Sequence, residues 1–269
     1  MAFKFCSFAS GSSGNCYMAR SESTTILIDV GITGKRILEG LATHDMAAED
    51  VDGILVTHEH TDHVKSLKML SKKATSAKVY GSAGTLSAVM EKIEGDKARA
   101  IGASERLQIG DITVLPFGIS HDAAEPLGYS LIHQGRQVTI VTDTGYISEE
   151  IFAQIVKADL LVLEANHEVN ILKMGAYPYY LKRRILGDEG HLSNEAAGEC
   201  LCKMLRERQE KGCMEMPQVV LAHLSRENNT PEQAYLTIRN ILFEKDFYID
   251  KDLMLDIAKR DQIGKEMEI

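Results

Sequence analysis

Residues 57–63, Thr-His-Glu-His-Thr-Asp-His, set three imidazoles and a carboxylate in an H-x-H-x-D-H spacing directly after the apolar run Gly53-Ile54-Leu55-Val56. Imidazole nitrogen and carboxylate oxygen together suit zinc, manganese or iron. His58, His60, Asp62 and His63 are more donors than one metal usually takes from so short a loop. On an extended segment His58 and His60 project to the same side, whereas the neighbours Asp62 and His63 face one pocket only if the backbone bends. A loop that feeds two adjacent metals would have this form. Histidines scattered on a surface loop by chance would rarely reach this density.

Donors of the same kind recur further on, each just past an apolar, β-prone run: His121, Asp143, Glu164 and His223. Strand ends that meet at one edge of a sheet are a natural place for a site. Asp29 follows Ile26-Leu27-Ile28, and a carboxylate at the end of a buried strand is costly unless paired. It would orient a metal-bound histidine through a hydrogen bond; a turn or helix-capping aspartate fits the residue type equally well. Ser10-Gly11-Ser12-Ser13-Gly14-Asn15 has the composition of a phosphate cradle without the G-K-[ST] ending of a P-loop, and a plain hairpin turn is the simpler reading. Lys182-Arg183-Arg184 is the densest basic cluster, either a grip on phosphates or a solvated helix face.

The elements that must position these residues follow from periodicity. Strands are expected at 3–9, 16–19, 25–30, 53–56, 78–81, 112–119, 128–134, 137–142, 159–164, 217–221 and 253–258. Helices are expected at 33–41, 64–73, 83–93, 148–157 (with Ser148 as N-cap) and 193–209, and one opens at Pro231. An antiparallel opening followed by alternating strands and helices points to a layered α/β architecture with mixed sheets.

Composition narrows the class. The 269 residues are 44% hydrophobic and 26% charged, an ordinary globular balance able to bury a core without staples. Five cysteines with no C-x-x-C pair argue against a disulfide framework and for a reducing compartment. Cys200 and Cys202, two apart on an expected helix, do not share a face, and buried inert thiols are the expected role. No signal peptide and no membrane-length apolar run is evident, so a cytoplasmic protein without a membrane partner is expected. The net charge of −9 argues against a surface that coats DNA generally, although divalent metals and a local basic patch reverse the sign at one site.

Taken in order, Asp29, the H-x-H-x-D-H run, His121, Asp143 and His223 resemble the metallo-β-lactamase superfamily over nearly the whole chain. The resemblance implies an α/β (α+β) fold, a four-layer αββα sandwich with two mixed sheets, as one domain over residues 1–269. It implies two divalent metals, zinc, manganese or iron. One would be held by His58, His60, His121 and Asp143, the other by Asp62, His63, the same Asp143 and His223, with a shared hydroxide as nucleophile. Aspartate at 143, where zinc β-lactamases use cysteine, implies a carboxylate-bridged hydrolase rather than one that destroys drugs.

Ser10–Asn15, Ser120-His121-Asp122-Ala123, Glu164-Ala165-Asn166-His167, Gly190-His191-Leu192-Ser193-Asn194 and the run from His223 to Asn229 look more narrowly like the YycJ/WalJ-type metallohydrolases. That family is associated with 5′-to-3′ exonuclease action on double-stranded DNA and is similar to tRNA 3′-processing and phosphodiesterase relatives. On this resemblance Asp62 also holds the hydroxide in line. His191 gives a proton to the leaving alkoxide, and Glu164 orients or recharges it. Substrate contacts fall to Ser12, Ser13, Asn15, Lys182, Arg183, Ser225 and Asn228. His167 fits either a supporting bond or packing, and His44 and His133 receive no role. The expected partner is double-stranded DNA, and self-association is left open. Two alternatives stand: a hydrolase of small phosphodiesters or thioesters, favoured by the acidic charge, and an iron redox protein, for which no flavin-binding segment is present.

Overall fold

The structure, a computed structural model, describes residues 3–213 and 215–269. Among the described residues it is a mixed α/β chain with two mixed sheets of seven strands each. The backbone divides into two compact units: Met1–Gly118 with Ala123–Arg136 and Lys259–Ile269, and Ile119–Asp122 with Gln137–Ala258.

In the first unit, β1 (Lys4–Ala9), β2 (Cys16–Arg20) and β3 (Thr25–Ile28) form an antiparallel meander. The chain next forms helix α1 (Gly34–Ala42) and reaches β4 (Gly53–Leu55), which lies parallel to β3. Helices α2 (Thr61–Val64) and α3 (Leu67–Lys73) follow, then β5 (Lys78–Gly81), α4 (Ala83–Val89) and β6 (Ala98–Ala100), with β5 parallel to both β4 and β6. A second antiparallel meander runs through β7 (Leu107–Ile109), β8 (Ile112–Gly118) and β9 (Leu127–His133). Phe8, Leu27, Ile37, Ile54 and Leu67 belong to one buried core on which β3 and β4 rest. That packing fixes where the two strands end, and therefore where Asp29 and the histidine loop begin.

The single helix expected over 64–73 is broken in two. Ser66 N–H donates to Val30 O at 2.9 Å, and the Ser66 hydroxyl donates to Ile32 O at 2.6 Å, so tertiary bonds interrupt the helical ladder. The short α2 is the bend that the neighbouring donors Asp62 and His63 require. Gly31 lets this turn sit against the strand: a Cβ there would lie 1.6 Å from Asp62 O. The α-helix expected to reach 93 stops at Val89 and continues as a 3₁₀ turn over Met90–Lys92.

In the second unit β10 (Arg136–Val141), β11 (Leu160–Glu164), β12 (Gln218–Ala222) and β13 (Met254–Ile257) pair in parallel. The apolar run Leu160–Leu163 is fully buried, as expected of a parallel strand covered on both faces. Between the strands lie α5 (Glu149–Ile155), α6 (Val169–Met174), α7 (Tyr179–Leu186), α8 (Asn194–Glu210) and α9 (Pro231–Glu244). Hydroxyl caps start three of them: Ser148 accepts from Ile151 N, Ser193 from Ala196 N and Thr230 from Gln233 N. The two short helices α6 and α7 occupy a stretch whose sequence shows no clean period. Because β10–β12 run the same way, their C-terminal ends deliver Asp143, Glu164 and His223 along one edge.

Candidate functional site

Asp29 organises the donors of the first unit. It stands one residue past β3 with φ at 56°, in the left-handed region, and its side chain is fully buried. A non-glycine residue held there is strained, the kind of strain that structures retain at working sites. Its carboxylate accepts from Thr57 N at 2.9 Å, from the Thr57 hydroxyl at 2.9 and 3.1 Å, and from His63 Nδ1 at 2.7 Å. With Nδ1 committed as donor, Nε2 is the acceptor nitrogen of the His63 ring. His58 lies at a 4.1 Å ring separation from His63 and 4.6 Å from His60.

The backbone of the loop is pinned as firmly as its side chains. Asn15 N donates to Asp62 O and Val30 N to His63 O, both at 2.8 Å. The buried Asn15 side chain accepts from Gly11 N at 2.9 Å and brings its Nδ2 to 3.2 Å from His63 Nε2. The Ser10–Asn15 segment is therefore a scaffold beneath the histidine turn; Ser12 and Ser13 alone of its serines are exposed.

Glu164 plays the corresponding part in the second unit and does more. Fully buried, it accepts from His191 Nδ1 and His223 Nδ1 at 2.9 Å each on one oxygen. The other oxygen accepts from Thr144 N and Leu192 N, both at 3.1 Å. Burial alone raises a carboxyl's pKa, but the charge and hydrogen bonds of His191 and His223 outweigh it and hold Glu164 below the usual carboxylate range. His121 donates from Nδ1 to Gly190 O at 3.2 Å. Burial lowers its pKa despite Asp143 nearby, and its Nε2 lies 3.4 Å from Asp122 Oδ1. Asp143 and His223 are also left-handed, with φ of 58° and 53°.

This donor set fits a metal. His223 Nε2 faces Asp143 Oδ1 at 3.4 Å and His121 Nε2 faces the same oxygen at 3.9 Å. In the first unit His63 Nε2 faces Asp62 Oδ2 at 3.7 Å. Imidazole nitrogens set this close to carboxylate oxygens form a donor set suited to a divalent cation. Two ligands at ~2.0–2.1 Å on a tetrahedral ion sit about 3.3 Å apart, near these separations. Within the second unit, donor atoms of Asp143, Glu164, His191 and His223 all lie within 4.8 Å of one another.

The remaining sequence candidates fall elsewhere. Lys182 Nζ donates to Lys173 O at 2.8 Å and Gly175 O at 2.7 Å, which ties α7 to the end of α6. Arg184 is paired with Asp122, whereas Arg183 is exposed. Ser225 and Asn228 are buried, with the Ser225 hydroxyl accepting from Asn228 N at 3.2 Å, an internal turn. His167 is buried with no hydrogen bond at either ring nitrogen among the described residues, and burial lowers its pKa to about 4, so it packs as a neutral ring. Two supporting residues carried no assignment from sequence. Thr57 bridges Asp29 to the histidines, and Asn166 Nδ2 donates to His223 O at 2.9 Å. Their adjacency to His58 and Glu164 was the available signal.

The fold and these donors define a class. The chain belongs to the β-lactamase superfamily, whose family model, described as "Beta-lactamase superfamily domain", matches residues 24–227, and it is a hydrolase with a metal-dependent fold and candidate metal-binding residues. It is similar to the exodeoxyribonuclease WalJ of Streptococcus pneumoniae, at 36% identity over 257 residues, 94% of this chain and 93% of that one. To the exodeoxyribonuclease YycJ of Bacillus anthracis it is 38% identical over 251 residues, 92% of each. Among solved structures, the metallo-β-lactamase fold protein YhfI of Bacillus subtilis matches with a TM-score of 0.72 at 17% identity over the full length of both chains. No helix among the described residues is long and apolar enough to cross a membrane.

Proposed function

We propose that this chain is a dinuclear metal-dependent phosphodiesterase acting on nucleic acid, a 5′-to-3′ exonuclease on double-stranded DNA in the cytoplasm. His58, His60, His121 and Asp143 would hold one ion, and Asp62, His63, Asp143 and His223 would hold the other, in a chain that acts as one domain. The ions, zinc, manganese or iron, supply a water acidified towards neutrality and offset phosphate charge. The names of the two similar exodeoxyribonucleases support the substrate class.

One observation carries the mechanism: Glu164 Oε1 holds His223 and His191 at once, each at 2.9 Å. The bond to Nδ1 fixes the ring of His223 and leaves Nε2 facing Asp143 Oδ1 at 3.4 Å. His191, 17% exposed at its side chain, keeps its other nitrogen available to substrate. To protonate a leaving alkoxide from Nε2 it must carry a proton on both nitrogens, and Glu164 is the counter-ion such an imidazolium requires. Asp62 keeps the attacking water in line.

The test compares leaving groups. In metal-reconstituted protein, His191→Ala should lower the rate on end-labelled duplex DNA by about 10²–10⁴-fold. The loss on an aryl phosphodiester, whose phenolate leaves unaided, should be far smaller. Equal losses on both would remove His191 as the acid. Running single-stranded DNA and RNA alongside separates the substrates. Turnover of the aryl ester with no cleavage of any nucleic acid would replace the exonuclease reading with a small-phosphodiester hydrolase.

A further inference from the structure

The surface over α6 and α7 combines two features. Residues 169–187 contain four basic and no acidic side chains, in a chain whose net charge is −9. They also carry three strongly exposed large apolar side chains: Met174 at 87%, Tyr179 at 76% and Tyr180 at 74% exposure. Exposed apolar groups gathered with one sign of charge mark a binding surface rather than a solvated face.

The hairpin is rigidly built. Lys182 draws the end of α6 onto α7 through the carbonyls of Lys173 and Gly175. Arg184 is paired with Asp122, the residue after His121. His191 N donates to Ile185 O at 3.0 Å, and a Cβ on Gly190 would lie 2.2 Å from that same carbonyl. Thus α7 carries the tyrosines in its first turn and holds the His191 loop at its other end. At 1.5 Å per residue, eight residues place the rings about 10 Å along the helix from that loop. Arg183 lies four positions after Tyr179 and shares its face.

Resting on the nucleic-acid reading above, we propose that Tyr179 and Tyr180 form a stacking platform for the unpaired bases of a DNA strand, with Arg183 on its phosphates. Every base offers a π-face, so such a platform binds without regard to sequence, as an exonuclease must. Lys182 and Arg184 serve to hold the platform, not to touch the strand. The occupant is an unpaired strand because bases within a duplex are already stacked. The platform would take hold where a duplex end frays.

The experiment uses the full-length, metal-reconstituted protein and a fluorescein-labelled oligonucleotide, single-stranded or duplex with an unpaired end, read by anisotropy and by steady-state digestion. Tyr179→Ala/Tyr180→Ala should weaken binding and raise KM by about 5-fold or more per ring, with kcat nearly kept. Tyr179→Phe/Tyr180→Phe retains the π-faces and should bind as the wild type does. Phe243→Ala, another exposed aromatic at 63% but on α9, should change nothing. Unchanged affinity and KM in the double alanine variant would overturn the platform, as would a loss that phenylalanine fails to restore. If the wild type hydrolyses an aryl phosphodiester but cuts no DNA, the function proposed above fails, and the anisotropy comparison alone decides the platform.

Discussion

In each unit one fully buried carboxylate sets the imidazoles, but Asp29 serves one ring and Glu164 serves two. The difference follows from how the donors arrive. In the first unit four donors come from a six-residue stretch whose turn is locked by backbone bonds from Asn15 and Val30. Side-chain support is needed there mainly to fix the His63 tautomer. Donors in the second unit come from separate strand ends and loops, so a shared acceptor must align them. Glu164 also receives Thr144 N and Leu192 N, the backbone of the segments that carry Asp143 and His191. Orientation is thus a backbone property in the first unit and a side-chain property in the second.

That contrast can be broken at several levels. Removing a donor should be equally fatal in either unit: His58→Ala and His223→Ala should each reduce phosphodiesterase activity to background in parallel preparations. Activity surviving in one but not the other would show that only one unit's donors do chemistry. The two carboxylates should then separate. Substitution of a residue that supports a metal ligand costs about 10–100-fold in metal affinity or activity. Glu164→Gln, which disturbs two rings and two backbone donors, should fall at or beyond the upper end of that range. Asp29→Asn, with the loop still pinned, should fall near the lower end. Metal affinity and kcat/KM on an aryl phosphodiester measure both, and equal losses would remove the distinction.

The smallest expected effect concerns the thiols. Burial raises Cys6 and Cys200 to about 12 and Cys202 to about 11, and holds Cys16 well above its ordinary value. The inert, buried role expected of Cys200 and Cys202 extends to both units, while Cys213 is exposed. A thiol reagent under native conditions should therefore label one cysteine per chain and leave activity unchanged. Rapid labelling of more would mean that one unit opens in solution.

The same contrast explains what was legible in the sequence. The histidine turn was readable because its donors are contiguous, so spacing alone carries the chemistry. His121, Asp143, Glu164 and His223 could be marked as strand-end donors, but nothing in their spacing ties them together; family resemblance supplied the grouping. Thr57 and Asn166 went unassigned because their roles depend on which carboxylate or carbonyl a fold brings alongside. Parallel strands such as β4 and β11 were readable as apolar runs, whereas β6, Ala98–Ala100, is largely exposed and offers no such run. The break at Ser66 was not readable, since the bonds to Val30 and Ile32 that end the helix come from a distant segment. Lys182 had two readings from its residue type, a grip on phosphates or a solvated helix face, and its ammonium donates to Lys173 O and Gly175 O.

The most direct test of the central claim is bound metal per chain, measured by elemental analysis on desalted protein after loading with zinc or manganese, paired with digestion of end-labelled duplex DNA. Two ions in the wild type, fewer in both His58→Ala and His223→Ala, and DNA digestion that disappears with them is the predicted result. Metal-free wild-type protein that still digests DNA, or both variants retaining two ions, would contradict it.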